Sequence, residues 1–300
     1  MSSILVTGAT GFVGRHLVPA LLDAGHEVRA MTRAPEAYDG PGEAVGADVT
    51  DPESLAAALA GIDIAYYLVH SLADHDFERK DAEAARSFAA AAAAAGVNQI
   101  VYLGGLGDDG AELSSHLRSR REVETLLAGT DVPVTVLRAA IVVGDGGISW
   151  EITRQLVKNL PAMVVPRWAR TRTQPIALED VVRYLVGVAG HPQALGRTFE
   201  IGGPDRVSYL DMLRIAGEVG RGRGARIVPV PVLTPRLSSY WLALVTDVDV
   251  TTGRNLIDSM ATEVVVTDHS IDEVVPGTPM SYVDAVRAAL DARRRRLGDS

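Results

Sequence analysis

The chain has 300 residues, a net charge of −9 and no cysteine, and 47% of its residues are hydrophobic. This length and apolar content suit one large α/β unit with a sizeable core, while the missing cysteine excludes disulfides, thiolate metal sites and a cysteine nucleophile. The negative charge and scattered basic residues argue against nucleic acid as the main partner, because phosphate neutralisation dominates that affinity. No apolar run reaches the roughly 18 residues that span a bilayer, and the N-terminus lacks the basic region of a secretory signal. We therefore expect a cytoplasmic protein without a membrane span.

The first predicted element is a strand that ends in a glycine-rich turn. Residues 4–6 are apolar, and Gly8, Gly11 and Gly14 follow at intervals of three before an amphipathic helix. Gly8 permits a sharp turn off the strand, Gly11 lets backbone N–H groups approach a pyrophosphate, and Gly14 lets the helix pack close to the sheet. The anion then lies at the positive end of the helix dipole. This pattern predicts a dinucleotide site.

Strand-like and helix-like segments alternate through the rest of the first half. The further predicted strands are Glu27–Met31, Ala44–Val49, Ile62–Val69, Ile100–Leu103 and Val134–Leu137. Predicted helices cover residues 51–60 and 81–95. Repeated alternation of this kind predicts an α/β fold, a Rossmann-like doubly wound parallel sheet with helices on both faces.

The alternation loosens after residue 147, so we predict a dinucleotide-binding core over residues 1–147 and a mixed region over 148–300. Within that region, segments near 174–204 and 225–232 are expected to return strands and helices to the core. Residues 148–173 and 233–262 are expected to form a small, partly helical substrate lobe or cap. Predicted helices cover residues 149–160, 178–189, 209–219 and 282–296, predicted strands cover 198–201 and 227–232, and residues 161–173 are expected to be irregular.

Three motifs carry a resemblance to a known superfamily. Residues 7–14, TGATGFVG, resemble the TGxxGxxG loop of short-chain dehydrogenases/reductases. Residues 102–106, YLGGL, and 137–144, LRAAIVVG, are similar to its atypical NAD(P)H-binding branch, the NmrA-like and isoflavone-reductase-like groups. The resemblance covers most of the chain, most strongly residues 3–145. It implies a dinucleotide along the C-terminal edge of the sheet, a small-molecule substrate and, as one option, a homodimer through the helices flanking the fifth and sixth strands.

The resemblance also implies which residues contact the cofactor. They are Gly8, Thr10, Gly11, Phe12, Val13 and Gly14 at the pyrophosphate; Asp48 and Val49 at adenine; Leu68, Val69 and His70 near the adenine-side ribose and the cofactor bridge; Gly104 after the fifth strand; and Ala139, Ala140 and Ile141 beside the nicotinamide.

Cofactor choice depends on the end of the second strand. An acidic residue there would accept a hydrogen bond from the ribose 2′-hydroxyl of NAD, but this chain has Met31-Thr32-Arg33. Because an arginine can pair bidentately with a 2′-phosphate, Arg33 favours NADP(H) over NAD(H).

The usual catalytic groups of the superfamily are replaced in this chain. The family pattern is a serine after the fifth strand and YxxxK on a helix, a spacing that puts tyrosine and lysine on one helical face. Here Gly104 and Gly105 stand at the serine position, His116 at the tyrosine and Arg120 at the lysine. His116 is a candidate acid, since its unperturbed pKa is near 6.5, although a neighbouring guanidinium favours the neutral imidazole. Arg120 is a candidate partner of ribose hydroxyls.

The favoured function is an NADP(H)-binding atypical reductase that acts on a carbonyl or activated C=C of an apolar small molecule without the usual Tyr–Lys pair. One alternative is a non-catalytic NADP(H)-sensing regulator or assembly factor, and a less favoured one is a nucleotide-sugar epimerase or dehydratase. No histidine and carboxylate spacing indicates a metal site. Candidate substrate-pocket residues are Ser149, Trp150, Glu151, Arg154 and Trp168.

Overall fold

The computed structural model describes residues 1–71, 74, 76–107, 113–160, 162–165, 167–224, 226–229, 260 and 262–298. The strands are β1 Ser3–Val6, β2 Glu27–Thr32, β3 Glu43–Gly46, β4 Ile64–Tyr67, β5 Gln99–Gly105, β6 Val134–Ala139, β7 Val142–Val143, β8 Ala162–Val165, β9 Arg172–Thr173, β10 Ile176–Ala177, β11 Thr198–Ile201, β12 Val207–Ser208 and β13 Arg226–Pro229. The helices are α1 Gly14–Asp23, α2 Pro52–Leu59, α3 Phe77–Ala94, α4 Ser115–Leu127, α5 Ile148–Asn159, α6 Leu178–Gly187, α7 Tyr209–Arg221, α8 Ile271–Val274 and α9 Tyr282–Leu297.

A seven-stranded sheet in the order β11-β6-β5-β4-β1-β2-β3 forms the centre of the molecule. Every neighbouring pair in it is parallel, and the strand order reverses between β1 and β4. Helices α1 and α6 pack on one face, whereas α2, α3 and α4 pack on the other. The predicted Rossmann-like doubly wound fold is therefore confirmed.

Adjacent tyrosines on β4 show that both faces of the sheet are buried. The hydroxyl of Tyr66 donates to the backbone carbonyl of Leu185 on α6 at 2.7 Å. The ring of Tyr67 points to the opposite face, where its centroid lies 5.0 Å from that of Phe88 on α3. A strand covered by helices on both sides has no solvent-facing side, which is why β4 is apolar throughout.

Local sequence signals set several helix ends. The Asp51 carboxylate accepts the backbone N–H of Glu53 at 3.1 Å and begins α2. Ser208 and Asp211 form a reciprocal capping box at the start of α7, which ends at Gly222 with φ +68°. Helix α3 begins at Phe77, earlier than the predicted residue 81, because the Phe77 ring is buried beneath its first turn.

The second half contains more strands than its sequence predicts. Residues 161–173, expected to be irregular, include β8 and β9. Strand β8 pairs in parallel with β13, so the segment expected to return to the core near 225–232 pairs instead in a separate two-stranded sheet. Strand β11 does join the central sheet, beside β6. The expected helical cap over residues 233–262 lies largely outside the described residues.

The C-terminal helix α9 is joined to the sheet edge by ion pairs. Arg296 contacts the buried Asp145 at 2.6 Å, and Arg293 contacts Glu151 on α5 at 3.3 Å. Arg15, directly after the glycine turn, donates to the Asp145 backbone carbonyl at 2.8 Å. Burial opposes ionisation of Asp145, but the hydrogen bonds and charges of the two arginines outweigh it and hold its pKa below the ordinary value. In the described part of the chain, no helix is long and apolar enough to cross a bilayer.

Candidate functional site

The turn after β1 forms a cradle that only glycine fits at its closest point. Gly8 has φ +63°, and a Cβ on Gly14 would lie 2.2 Å from the Gly8 carbonyl oxygen. The backbone N–H groups of Phe12, Val13 and Gly14 find no acceptor among the described residues. Three donors at the positive end of α1 are therefore available to an anion, the arrangement that binds a pyrophosphate.

A cavity of about 280 Å³ begins at this turn and follows the C-terminal edge of the sheet. It lies beside the reversal of strand order, where open α/β sheets bind their ligands. Its wall is formed by Gly8, Gly11, Phe12, Val13, Gly14, Leu68, His70, Leu103, Gly104, Gly105, Leu106, His116, Leu117, Arg120, Ala139, Ala140, Ile141, Val142, Ser149, Tyr209, Met260 and Val264.

Most residues predicted to contact the cofactor line this cavity. They are Gly8, Gly11, Phe12, Val13, Gly14, Leu68, His70, Gly104, Arg120, Ala139, Ala140 and Ile141. Thr10 is exposed at the turn, and Val69 packs against the hydrophobic cluster on the opposite face of the sheet. Arg33, Asp48 and Val49 lie beyond the ends of β2 and β3 and do not line the cavity.

His116 and Arg120 enter the cavity from the first turns of α4. The hydroxyl of Ser114 accepts the backbone N–H of Leu117 at 3.3 Å and fixes the start of the helix. His116 makes no hydrogen bond with any described residue, while Arg120 donates to the Tyr102 hydroxyl at 3.4 Å. Within the described part, no carboxylate lies at ion-pair distance from Arg120, so most donors of its guanidinium are available to a ligand.

The structure explains why glycines occupy the usual serine position. A Cβ on Gly104 would lie 2.7 Å from a Glu124 carboxylate oxygen, and one on Gly105 would lie 2.8 Å from Leu117. A side chain at either position would therefore require Glu124 or Leu117 of α4 to shift.

Both histidines of the cavity are uncharged near neutral pH. Burial, helped by the charge of Arg120 and by His70, lowers the pKa of His116 to about 3. His70 has an exposed surface, but the protein packed around its ring and the charge of Arg120 lower its pKa to about 4. Arg120 is the one charged side chain on the described wall of the cavity.

These shifts predict that acid destabilises the protein. Below pH 6.5 the unfolded chain protonates histidine while the folded chain does not, so the free energy of unfolding falls as pH decreases towards the folded pKa near 3. His116→Gln should flatten this dependence by up to about 1.4 kcal/mol per pH unit. Urea unfolding of wild type and variant from pH 7.5 to pH 4.5 measures it, and parallel curves for the two proteins would contradict the shift.

The five residues predicted to line the substrate pocket do not lie together in the structure. Ser149 lines the cavity, whereas Trp150 is 1% exposed and packs in the core of the C-terminal lobe. Glu151 and Arg154 pair with each other at 2.6 Å and do not line the cavity. The side chain of Trp168 lies outside the described residues. We therefore retain Ser149 alone from this set as a proposed pocket residue.

Several lining residues were missed in the sequence. Three of them, Leu103, Leu106 and Val142, lie at or after the C-terminal ends of predicted strands. Because the cavity follows this edge of the sheet, their position would have been sufficient to predict them. Tyr209, Met260 and Val264 reach the cavity from distant parts of the chain, and no local pattern marks them. The described residues contain no cluster of three His, Asp or Glu side chains that could hold a metal ion.

The comparison with protein families assigns the chain to a class. A family model described as NAD(P)H-binding matches residues 8–190. The chain therefore belongs to this NAD(P)H-binding family, in the atypical branch of the short-chain dehydrogenases/reductases that its sequence motifs predict.

Similar curated proteins include two reductases. One is the (4-alkanoyl-5-oxo-2,5-dihydrofuran-3-yl)methyl phosphate reductase of Streptomyces griseus, 31% identical over 68% of this chain and 69% of the relative. The other is the ceramide reductase of Caulobacter vibrioides, 29% identical over 63% of this chain and 61% of the relative. The chain thus belongs to a reductase-like family with reductase homologues.

Solved structures show the same fold at low sequence identity. An NADPH-dependent quinone oxidoreductase from Escherichia coli with NADPH bound has a TM-score of 0.78 and 18% identity, covering 95% of this chain and 98% of that chain. A Citrobacter sp. triphenylmethane reductase complexed with NADP(H) has a TM-score of 0.76 and 18% identity, covering 95% of this chain and 99% of that chain.

Proposed function

We propose that this chain is an NADPH-dependent reductase that transfers hydride to a carbonyl or activated C=C of an apolar small molecule. One observation carries the proposal: a single cavity joins the glycine cradle to a chamber whose wall includes Ile141, Tyr209, Met260 and Val264. The cradle offers unpaired N–H donors to a pyrophosphate, while the chamber is apolar and suits a hydrocarbon-rich substrate. The names of the two reductase relatives, an alkanoyl-bearing dihydrofuranyl methyl phosphate reductase and a ceramide reductase, support a substrate that carries a hydrocarbon part, although the first also carries a phosphate.

The residues of the chain fit a dinucleotide in an extended pose. Phe12, Val13 and Gly14 would hold the pyrophosphate through backbone N–H groups, and Arg120 would donate to ribose hydroxyls or to the substrate. Ala139 and Ala140, with small side chains, would leave room for the nicotinamide ring. When bound, the cofactor supplies the hydride, so the protein contributes orientation, exclusion of water and electrostatics.

Preference for the phosphorylated cofactor rests on Arg33. It is exposed just beyond the end of β2, and it has no hydrogen-bond partner among the described residues. The nearby Asp48 carboxylate is engaged by the Thr50 N–H at 2.8 Å and the Thr50 hydroxyl at 2.7 Å, contacts that lower its pKa. The Arg33 fork is thus available to a 2′-phosphate.

Arg33→Ala should weaken NADPH binding about 10- to 160-fold and leave NADH binding unchanged, because it removes one charge-assisted phosphate contact worth about 1.5–3 kcal/mol. Arg29→Ala is the matched control, since Arg29 is occupied by Glu43 at 3.1 Å and the Ala60 carbonyl at 2.7 Å. Fluorescence titration with each cofactor gives the affinities. Equal losses for both cofactors, or none, would remove Arg33 as the selecting residue.

The proposed activity is tested with purified protein, NADPH and a panel of quinones, enones and plain ketones. Loss of the reduced-nicotinamide absorbance that depends on the acceptor supports a reductase. Tight NADPH binding without turnover of any compound would instead support the second candidate, a non-catalytic NADP(H)-sensing regulator. The observation that favours this alternative is the uncharged His116 at the tyrosine position, with neither lysine of the chain, Lys80 or Lys158, lining the cavity.

A further inference from the structure

We propose that His116 is a catalytic residue that works as an uncharged imidazole, donating a hydrogen bond to the substrate oxygen that becomes anionic, and that Arg120 is a positioning residue whose charge adds to the effect of burial on the imidazole. The inference rests on the proposed reductase function. It specifies which group stabilises the negative charge that forms on the substrate oxygen. In this role His116 stabilises the anion through a hydrogen bond, whereas the sequence predicted that it would donate a proton as an acid.

Three geometric observations point to this role. His116 lies in the first turn of α4, where the helix dipole is positive and disfavours a second positive charge. Arg120 follows four residues later, so both side chains lie on one face of the helix and line the same cavity. The imidazole is only partly exposed and has no hydrogen-bond partner among the described residues, which leaves its N–H free for a ligand.

The titratable and charged groups around the imidazole come from five elements. Arg120 shares helix α4, His70 follows β4, and Tyr209 begins α7. Beneath Arg120 lie Tyr102 of β5 and Asp81 of α3, and the Asp81 carboxylate accepts the Ser71 N–H at 2.8 Å. Among the described residues, the one cation that faces the imidazole directly is Arg120, and neutral His70 adds no charge to stabilise an imidazolium.

An uncharged imidazole suits acceptors whose reduced form is a stabilised oxyanion. In such a substrate a hydride forms a new C–H bond at the electrophilic carbon, and the π electrons of the C=C bond move to leave an enolate or phenolate. The acceptor gains two electrons and the nicotinamide coenzyme loses two. The N–H of His116 donates to the oxyanion and keeps its proton, and water then protonates the product. A plain ketone would give a far more basic alkoxide, so quinones and enones are the preferred class.

The discriminating variants are His116→Gln, which retains an uncharged N–H donor, and His116→Leu, which does not. We expect His116→Leu to lower kcat about 100-fold or more with quinone or enone acceptors, as loss of one oxyanion donor does, and His116→Gln to stay within about 10-fold of wild type. Wild-type kcat should not change with the ionisation of an imidazole between pH 5.5 and 8. A fall in kcat through that range, with His116→Gln as inactive as His116→Leu, would establish proton donation and overturn the proposal.

A binding measurement makes the test independent of turnover. 4-Nitrophenol, whose ionisation changes its absorbance, is titrated with the protein in the presence and absence of NADP⁺. Its bound pKa should be lowered by about one unit more in wild type and His116→Gln than in His116→Leu, where only the charge of Arg120 remains, a tenfold difference in preference for the phenolate. Equal shifts in all three proteins would overturn the role of His116. Absence of turnover with the expected shifts would instead refute the reductase function alone.

The role of Arg120 has its own readout. Arg120→Met should raise the pKa of His116, observed as an imidazole NMR titration that moves to higher pH while burial still holds the pKa below its ordinary value. Should His116→Leu fail to fold, His116→Ala serves in its place. An unchanged pKa of His116 in Arg120→Met would show that Arg120 does not influence the charge of the imidazole.

Discussion

Replacing Gly14 by alanine is expected to weaken dinucleotide binding. The new methyl group would lie 2.2 Å from the Gly8 carbonyl oxygen and 2.8 Å from the Ala9 Cα, both of them backbone atoms that cannot rotate away. The turn must therefore move off α1, at a cost of about 1–3 kcal/mol or more. Because each 1.4 kcal/mol is tenfold in affinity, we expect NADPH to bind about 5- to 160-fold more weakly.

The matched control is Gly220→Ala on α7. A Cβ there meets only Leu290, at an ordinary 3.7 Å, and alanine raises helix stability by up to about 1 kcal/mol over glycine. Fluorescence titration with NADPH and thermal unfolding of both variants separate a binding defect from unfolding. Wild-type affinity in Gly14→Ala would show that the turn does not hold the pyrophosphate.

Replacing Glu124 by alanine is expected to cause the largest loss of stability. Its carboxylate contacts Arg138 on β6 at 2.7 Å and Arg121 at 2.8 Å, and the three side chains are between 9% and 16% exposed. Arg121 also donates to the carbonyls of Gly105 at 2.9 Å and Gly107 at 2.6 Å. Removing the carboxylate from two largely buried guanidinium groups should cost about 3–5 kcal/mol.

Glu122→Ala provides the comparison two residues away on the same helix. Glu122 faces Arg86 at 3.8 Å, and both side chains are about half exposed. An exposed pair of this kind contributes about 0–1 kcal/mol, so the variant should unfold as wild type does. Thermal and urea unfolding of both variants give the free energies of unfolding, and equal values would contradict the buried role of Glu124. Because α4 carries His116 and Arg120, Glu124→Ala should also lower NADPH affinity.

The sequence alone was sufficient for the parts that depend on local geometry. The glycine spacing of residues 8–14 gave the cofactor turn, since the steric demands of that turn leave few other sequences. Apolar runs gave the strands of the central sheet, because parallel strands covered on both faces contain little besides apolar residues. The spacing of His116 and Arg120 also correctly placed both on one helical face.

Residues 148–300 show where local pattern is insufficient. Strand β8 pairs with β13 across more than 60 residues, and Tyr209 reaches the cavity only through such long-range contacts. Arg296 pairs with Asp145, 151 residues away, and no local pattern in the sequence indicates this contact. Pairings at this separation depend on the fold of the whole chain rather than on any periodicity within a segment.

The charge state of His116 could likewise be inferred only from the tertiary structure. The sequence by itself predicted that His116 and Arg120 stand where the superfamily has tyrosine and lysine, and that the glycine turn binds a dinucleotide. Only the fold decided that His116 lies partly buried, beside a guanidinium and at a helix N-terminus, with a pKa lowered to about 3. Ionisation depends on the solvent and charge around a group, and residues distant in sequence create that environment.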